Sequence, residues 1–430
     1  MPFSSWGPFS SSGIAPDLFP LLRRALDEAG YAAPTPIQER AIPAILRGKD
    51  LLARARTGSG KTAAFALPLL QRFALASSPL PRRVRSLVLV PTRELAAQVG
   101  DTFVQLGRHL SPRIKVAAIF GGVSINPQMI DLRWGADIVV ATPGRLLDLV
   151  DNNALNLAHV NTLVLDEADR LLDLGFEDEL RRLLALLPPA RQTLLFSATF
   201  PASIQALADD LLHEPERIDV QDEALPAPDI RQRAVEVDPG QRTRLLRHLL
   251  QEEGWRRALV FVASRHAAET VASKLCKAGI RAEALHGDLS QGRRTRALQE
   301  FKQEQVQVLV ATDVASRGID IMELPVVVNY DLPRSTTDYT HRIGRTGRAG
   351  QSGMAVSFIS AGTAAHFRLI EKRGRFHAAR ERIAGFEPVG VLAPNPADPA
   401  GTGGIKGARP SRKDKLRAAA ALEKAKDPPV

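Results

Sequence analysis

The chain has 430 residues, with 57 basic against 47 acidic side chains, a formal charge of +10 and a pI near 10.0. That length makes two or three domains with substantial cores, and the charge suits a polyanionic partner. A single cysteine, Cys276, excludes disulfides and points to a reducing compartment; with neither a signal-peptide pattern nor an apolar run of membrane-spanning length, a cytoplasmic protein with no membrane partner is expected.

In chain order, the first informative element is an apolar strand at Leu51 to Ala53, followed by ARTGSGKT (55–62) and a helical run from Thr62 to Phe73. A glycine-rich loop between strand and helix is a phosphate cradle. Gly58, Ser59 and Gly60 let backbone N–H groups approach phosphates, Lys61 reaches the β and γ phosphates, and the Thr62 hydroxyl ligates Mg²⁺. The usual pattern opens on glycine, where this chain has Ala55.

Further strands are predicted at 84–90, 115–120, 137–141, 162–165 and 193–197, alternating with amphipathic helices. The strand from Thr162 to Leu165 ends on Asp166 and Glu167, and the C-terminal ends of buried parallel strands are where open α/β sheets bind ligands. There Asp166 can hold Mg²⁺ and Glu167 can position or deprotonate an attacking water. A second series follows at 258–262, 281–285, 306–310, 326–330 and 354–359. Between the two series lies DEALPAPD (222–229), acidic and proline-bearing. The expected organisation is α/β, with domains at 1–221 and 231–387, a linker at 222–230 and a basic low-complexity tail, mostly disordered, at 388–430. Residues 401–430 hold eight basic and three acidic side chains, a composition that would tether RNA without selecting it, or would only keep the chain soluble.

Many strings in one order resemble the DEAD-box RNA helicase family. They are GYAAPTPIQ (30–38), ARTGSGKT, PTRELA (91–96), the Gly121–Gly122 pair, TPGR (142–145), DEAD (166–169) and SAT (197–199), then LVFVAS (259–264), HGDLSQGRR (286–294), ATDVASRGID (311–320) and HRIGRTGR (341–348). FGGVSINPQM (120–129) further resembles the bacterial RhlE-type subgroup. The resemblance implies two tandem RecA-like domains, each a parallel sheet flanked by helices, that bind ATP·Mg²⁺ and RNA in the cleft between them and unwind or remodel short duplexes and RNA–protein complexes. It also implies a monomer, with ribosome-assembly or RNA-degradation proteins as partners.

Residue roles follow from that resemblance and from chemistry. The Gln38 amide both donates and accepts, and can pair with the N6 and N7 edge of adenine. Phe9 is similar to the family's base-stacking aromatic, with Phe19 as a rival, and Asp320 would contact the ribose. Arg345 and Arg348, three residues apart, look like the family's arginine fingers, or else form a basic RNA surface with Arg342 or His341 relaying between the sites. Ser197 and Thr199 would couple ATP to RNA through Asp169 or Asp166, or make local backbone bonds. Sequence-independent contacts to RNA phosphates are expected from Thr92, Arg93, Gly122, Thr142, Arg145, Arg294 and Thr312. Aromatic residues are only 5% of the chain, which argues against recognition by base stacking.

Overall fold

The structure is a computed structural model that describes residues 18–55, 58–76, 81–220, 230–316, 324–347 and 352–389. Phe9, Asp320, Arg348, the linker residues 222–229 and nearly all of the basic tail lie outside the described residues.

Seven strands form the first sheet: β1 (Leu51–Arg54), β2 (Ser86–Leu89), β3 (Val116–Ile119), β4 (Ile138–Ala141), β5 (Thr162–Leu165), β6 (Gln192–Ser197) and β7 (Glu216–Asp219). Seven more form the second: β8 (Ile230–Glu236), β9 (Ala258–Val262), β10 (Ala282–Leu285), β11 (Val308–Thr312), β12 (Val326–Asn329), β13 (Gly353–Ile359) and β14 (Ala379–Glu381). Every pairing is parallel, in the orders β3-β4-β2-β5-β6-β1-β7 and β10-β11-β9-β12-β13-β8-β14.

A parallel sheet is covered on both faces, so its strands read as continuous apolar runs. Successive side chains point to opposite faces. Thus Leu51, Val88, Val164 and Phe196 enter one core with the helix Lys61–Leu75, while Leu52, Leu89, Leu165 and Leu195 enter the other. The second domain repeats the arrangement, with Val260, Val310 and Val328 on one face and Phe261, Leu309 and Val327 on the other. Because the strands run the same way, the segments that follow β1, β2, β4, β5 and β6, which carry five of the predicted motifs, leave from the same end of the first sheet.

Three strands were not expected from the sequence: β7, β8 and β14. They are polar, and β8 carries Arg233, whose guanidinium donates to Glu253 at 2.8 Å and to Glu381 at 2.6 Å. Ile230, expected in the linker, is the first residue of β8. Val389, expected in the tail, donates its amide to Asp238 Oδ2 at 2.8 Å. No described helix is long and apolar enough to cross a membrane.

Candidate functional site

The glycine-rich loop leaves β1 and enters the helix Lys61–Leu75 through Gly60, whose φ of 91° is left-handed. A Cβ there would lie 2.5 Å from Gln38 Nε2, so both conformation and space require glycine. Gln38 is buried. It donates from Nε2 to the Gly60 carbonyl at 3.1 Å and accepts from Thr35 N–H at 2.9 Å, while the Thr35 hydroxyl donates to the Ser59 carbonyl at 2.8 Å. The helix Pro36–Leu46 is thereby fastened to the loop, and part of the Gln38 amide is spent on the fold. Phe19, the rival stacking residue, packs against the first-domain core, with its backbone N–H on Gln71.

Lys61 is buried, and its Nζ stands 3.8 Å from Asp166 Oδ1 with no hydrogen-bond acceptor among the described residues. The Ser59 hydroxyl is likewise buried and unpartnered. A buried cation with unused donors costs free energy, and a phosphate oxygen would satisfy both groups. Burial pushes the Asp166 carboxyl up to about 6, against the pull of Lys61 in the opposite direction. A divalent cation between Asp166 and the half-buried Thr62, one residue past Lys61, would remove that penalty; this donor set of carboxylate and hydroxyl oxygens fits Mg²⁺.

Glu167 follows in left-handed backbone, φ 52° and ψ 50°, uncommon for a residue with a side chain. Its amide donates to Asp166 Oδ1 at 2.9 Å, and its carboxylate accepts from Arg170 at 3.0 Å. Asp169 is held through both oxygens: Oδ1 accepts from the Arg170 amide at 3.1 Å, and Oδ2 accepts from the Thr199 amide and hydroxyl at 3.0 and 2.8 Å. Ser197 Oγ accepts from the Asp169 amide and donates to the Thr199 carbonyl. The SAT segment is thus bonded to Asp169 directly.

From the second domain, Arg345 is buried just beyond the helix Thr336–Ile343, and Thr312 is buried at the end of β11. His341 faces the first domain. Burial lowers its pKa to about 4, with Arg170 adding to the shift and Asp169 and Glu167 opposing it. Arg342 is locked inside its own domain, donating to both oxygens of Asp313, to Asn329 and to the Asp331 carbonyl.

A second cleft of about 340 Å³ is lined by Thr92, Arg93, Thr142, Arg145 and Arg294, among others. Gly122, φ 78°, leaves room for the Arg93 guanidinium: a Cβ would sit 1.8 Å from its Nη1. Desolvation, then repulsion from Arg294, lowers the Arg93 pKa. Arg145 donates to the Val123 carbonyl at 2.8 Å, while its Nε and Nη1 are buried without acceptors. Thr92 caps its helix by accepting from Leu95 N–H, whereas the Thr142 hydroxyl makes no such cap. These groups can bind an oxyanion. Arg294 gives its donors to Glu94, the His286 carbonyl and the Ala315 carbonyl. It is buried and bridges the domains through Glu94 while lining the same cleft. Glu94 and Arg170, neither of them expected, are the buried partners on which the two sites turn.

Two parallel sheets with a phosphate loop, paired acidic residues at the end of β5 and a basic second domain across the cleft define a tandem RecA-like nucleotide hydrolase. Residues 35–207 match the DEAD/DEAH box helicase family and residues 241–350 the helicase conserved C-terminal domain. The chain is 41% identical over 349 residues to the ATP-dependent RNA helicase CshA of Listeria monocytogenes, covering 81% of this chain and 66% of that one. It is 41% identical over 391 residues to the ATP-dependent RNA helicase DeaD of Mycobacterium tuberculosis, covering 90% and 68%. The chain therefore spans about two thirds of the length of these relatives. Saccharomyces cerevisiae Dbp5 bound to RNA and ADP BeF3 superposes with a TM-score of 0.75 at 31% identity, covering 85% of this chain and 94% of that one. The chain belongs to the DEAD-box family of ATP-dependent RNA helicases.

Proposed function

We propose that this chain uses ATP hydrolysis to unwind or remodel short RNA duplexes and RNA–protein complexes, holding both ligands between its two domains. The observation that carries this is the buried Lys61 ammonium, 3.8 Å from Asp166 and without an acceptor, in a chain whose second domain brings Arg345 and His341 to the same cleft. Gly58, Ser59, Gly60 and Lys61 cradle the phosphates, and Gln38 presents its remaining amide valences to adenine. Thr62 and Asp166 hold Mg²⁺, which when bound supplies positive charge beside the phosphates.

Glu167 orients the attacking water and takes its proton. Arg345 neutralises charge that develops on the γ-phosphate; in other P-loop enzymes such a residue is worth on the order of 10³–10⁵ in rate, so hydrolysis requires closure. Thr199 and Ser197, through Asp169, pass the state of the nucleotide site to the RNA side. Thr92, Arg93, Gly122, Thr142 and Arg145, with Thr312 opposite, grip phosphates without reading bases. Arg294 supports that grip by joining the domains. Phe9, Asp320 and Arg348 keep the roles that the family resemblance implies. That Dbp5, of like fold, is bound to RNA and ADP BeF3 supports a chain that holds RNA and a nucleotide together.

The same proposal includes a join between domains before Ile230, an RNA-tethering tail, and a cytoplasmic monomer of the RhlE-type subgroup that works with ribosome-assembly or RNA-degradation proteins; limited proteolysis, size-exclusion and co-purification test these. The central test is the ATPase rate of the full chain with and without RNA, beside strand separation of a short duplex. RNA should stimulate hydrolysis, and a rate indifferent to RNA would overturn the proposal. A slow RNA clamp is the second reading, favoured by the buried Glu94–Arg294 pair; RNA dwell time against turnover separates the two.

A further inference from the structure

We infer that Arg170 is a positioning residue for hydrolysis, acting through Glu167; this rests on the reading of Glu167 as the water-orienting base. Arg170 Nη1 donates to Glu167 Oε2 at 3.0 Å, and the two side chains are only 6% and 5% exposed. A buried carboxylate is held in one rotamer by a hydrogen-bonded counter-charge. Arg170 supplies it from a fixed place, three residues along the helix Ala168–Asp173, with its own amide on Asp169 Oδ1. Its guanidinium occupies one oxygen of Glu167, while the other accepts no hydrogen bond among the described residues and is left for the water.

Left-handed backbone at Glu167 aims the side chain, and the Asp166 carboxylate holds that backbone through the Glu167 amide. The ion pair then selects the side-chain rotamer. Arg170 is also among the charged groups, with Asp169, Glu167 and Arg345, that act on His341 of the second domain. Chemistry, and not nucleotide binding, is therefore what Arg170 controls: among the described residues it makes no hydrogen bond to the phosphate-facing Lys61 Nζ or Ser59 Oγ.

The experiment compares Arg170→Met, Arg170→Lys, Glu167→Gln and the double variant Glu167→Gln/Arg170→Met in the full chain, measuring kcat and KM for ATP at saturating RNA. Arg170→Met should lower kcat roughly ten- to a hundredfold, the range typical of supporting residues, and leave KM within about twofold. Arg170→Lys should recover much of the loss. In the double variant kcat should be no lower than in Glu167→Gln alone, because the two residues act as one unit; with both charges removed, this variant also remains informative if Arg170→Met does not fold. Wild-type kcat in Arg170→Met, a loss confined to KM, or losses that multiply in the double variant would each overturn the inference. Wild-type turnover in Glu167→Gln would instead remove the reading on which it rests.

Discussion

Arg294 of the second domain donates from Nε to Glu94 Oε1 of the first at 2.8 Å, with both side chains buried. Gln291 donates to the same oxygen at 3.3 Å. Removing one partner of a buried pair leaves the other uncompensated, at about 3–5 kcal/mol, and opening the cleft lets water relieve that cost. Glu94→Ala should therefore shift the protein toward separated domains and shorten RNA dwell time with a non-hydrolysable nucleotide, while leaving ATP binding to the first domain nearly intact. Fluorescence transfer between labels on the two domains checks the shift; an unchanged closed fraction would show that the pair does not govern closure.

Lys61 and Glu167 should fail in different ways. Lys61→Ala removes the cation that faces the phosphates, so nucleotide affinity should fall by tenfold or more, roughly 1.4 kcal/mol per decade. Glu167→Gln keeps shape and hydrogen bonding at the water but loses the base, so ATP should bind, RNA should be held longer, and turnover should collapse. Equilibrium binding of a fluorescent ATP analogue beside single-turnover hydrolysis distinguishes them, and an equal loss of affinity in both variants would contradict the division of labour.

Gln38→Ala should do two things at once. It frees the Gly60 carbonyl and the Thr35 amide, loosening the phosphate loop for any nucleotide, and it removes the amide offered to adenine. KM should rise for GTP through the first effect and rise further for ATP through both. A ratio of ATP to GTP efficiency that does not change on substitution would restrict Gln38 to the structural role.

His341 sets a pH dependence. Its folded pKa of about 4 lies below the ordinary 6.5, so between those values the unfolded chain binds a proton that the folded chain refuses. The associated stability is complete above about pH 6.5 and is lost as pH falls toward 4. His341→Gln should flatten that slope. Urea midpoints at about pH 7.5 and about pH 5 for both proteins decide it, and parallel loss in the two would assign the slope elsewhere.

Strands buried on both faces were plain in the sequence because continuous runs such as LVL and LVFV have no polar interruption. β8 was hidden. Its Arg233 looks like a surface residue until Glu253 and Glu381, 20 and 148 residues away, are folded around it, and no local period reports such a pairing. An acidic residue in the first turn of a helix is favourable by itself, which hides the part Glu94 plays. Its signal was its sign, a lone carboxylate within a stretch otherwise suited to binding phosphate. Arg170 was legible in principle, standing three residues from Glu167 on one helical face. The Glu94 partner of Arg294 was not legible, because a guanidinium in a phosphate-binding motif does not declare whether it also meets a carboxylate across the cleft.

The way the sheets stop has its own consequence. One outermost strand of each sheet, β7 (Glu-Arg-Ile-Asp) and β14 (Ala-Arg-Glu), pairs over only four and three residues and is rich in charge. An edge this short and this charged gives an incoming extended chain few backbone groups to grip and places ions where apolar side chains would need to interdigitate. At these two edges the apolar interiors of the sheets are closed off from cross-β growth, so a further copy of the chain finds little purchase there.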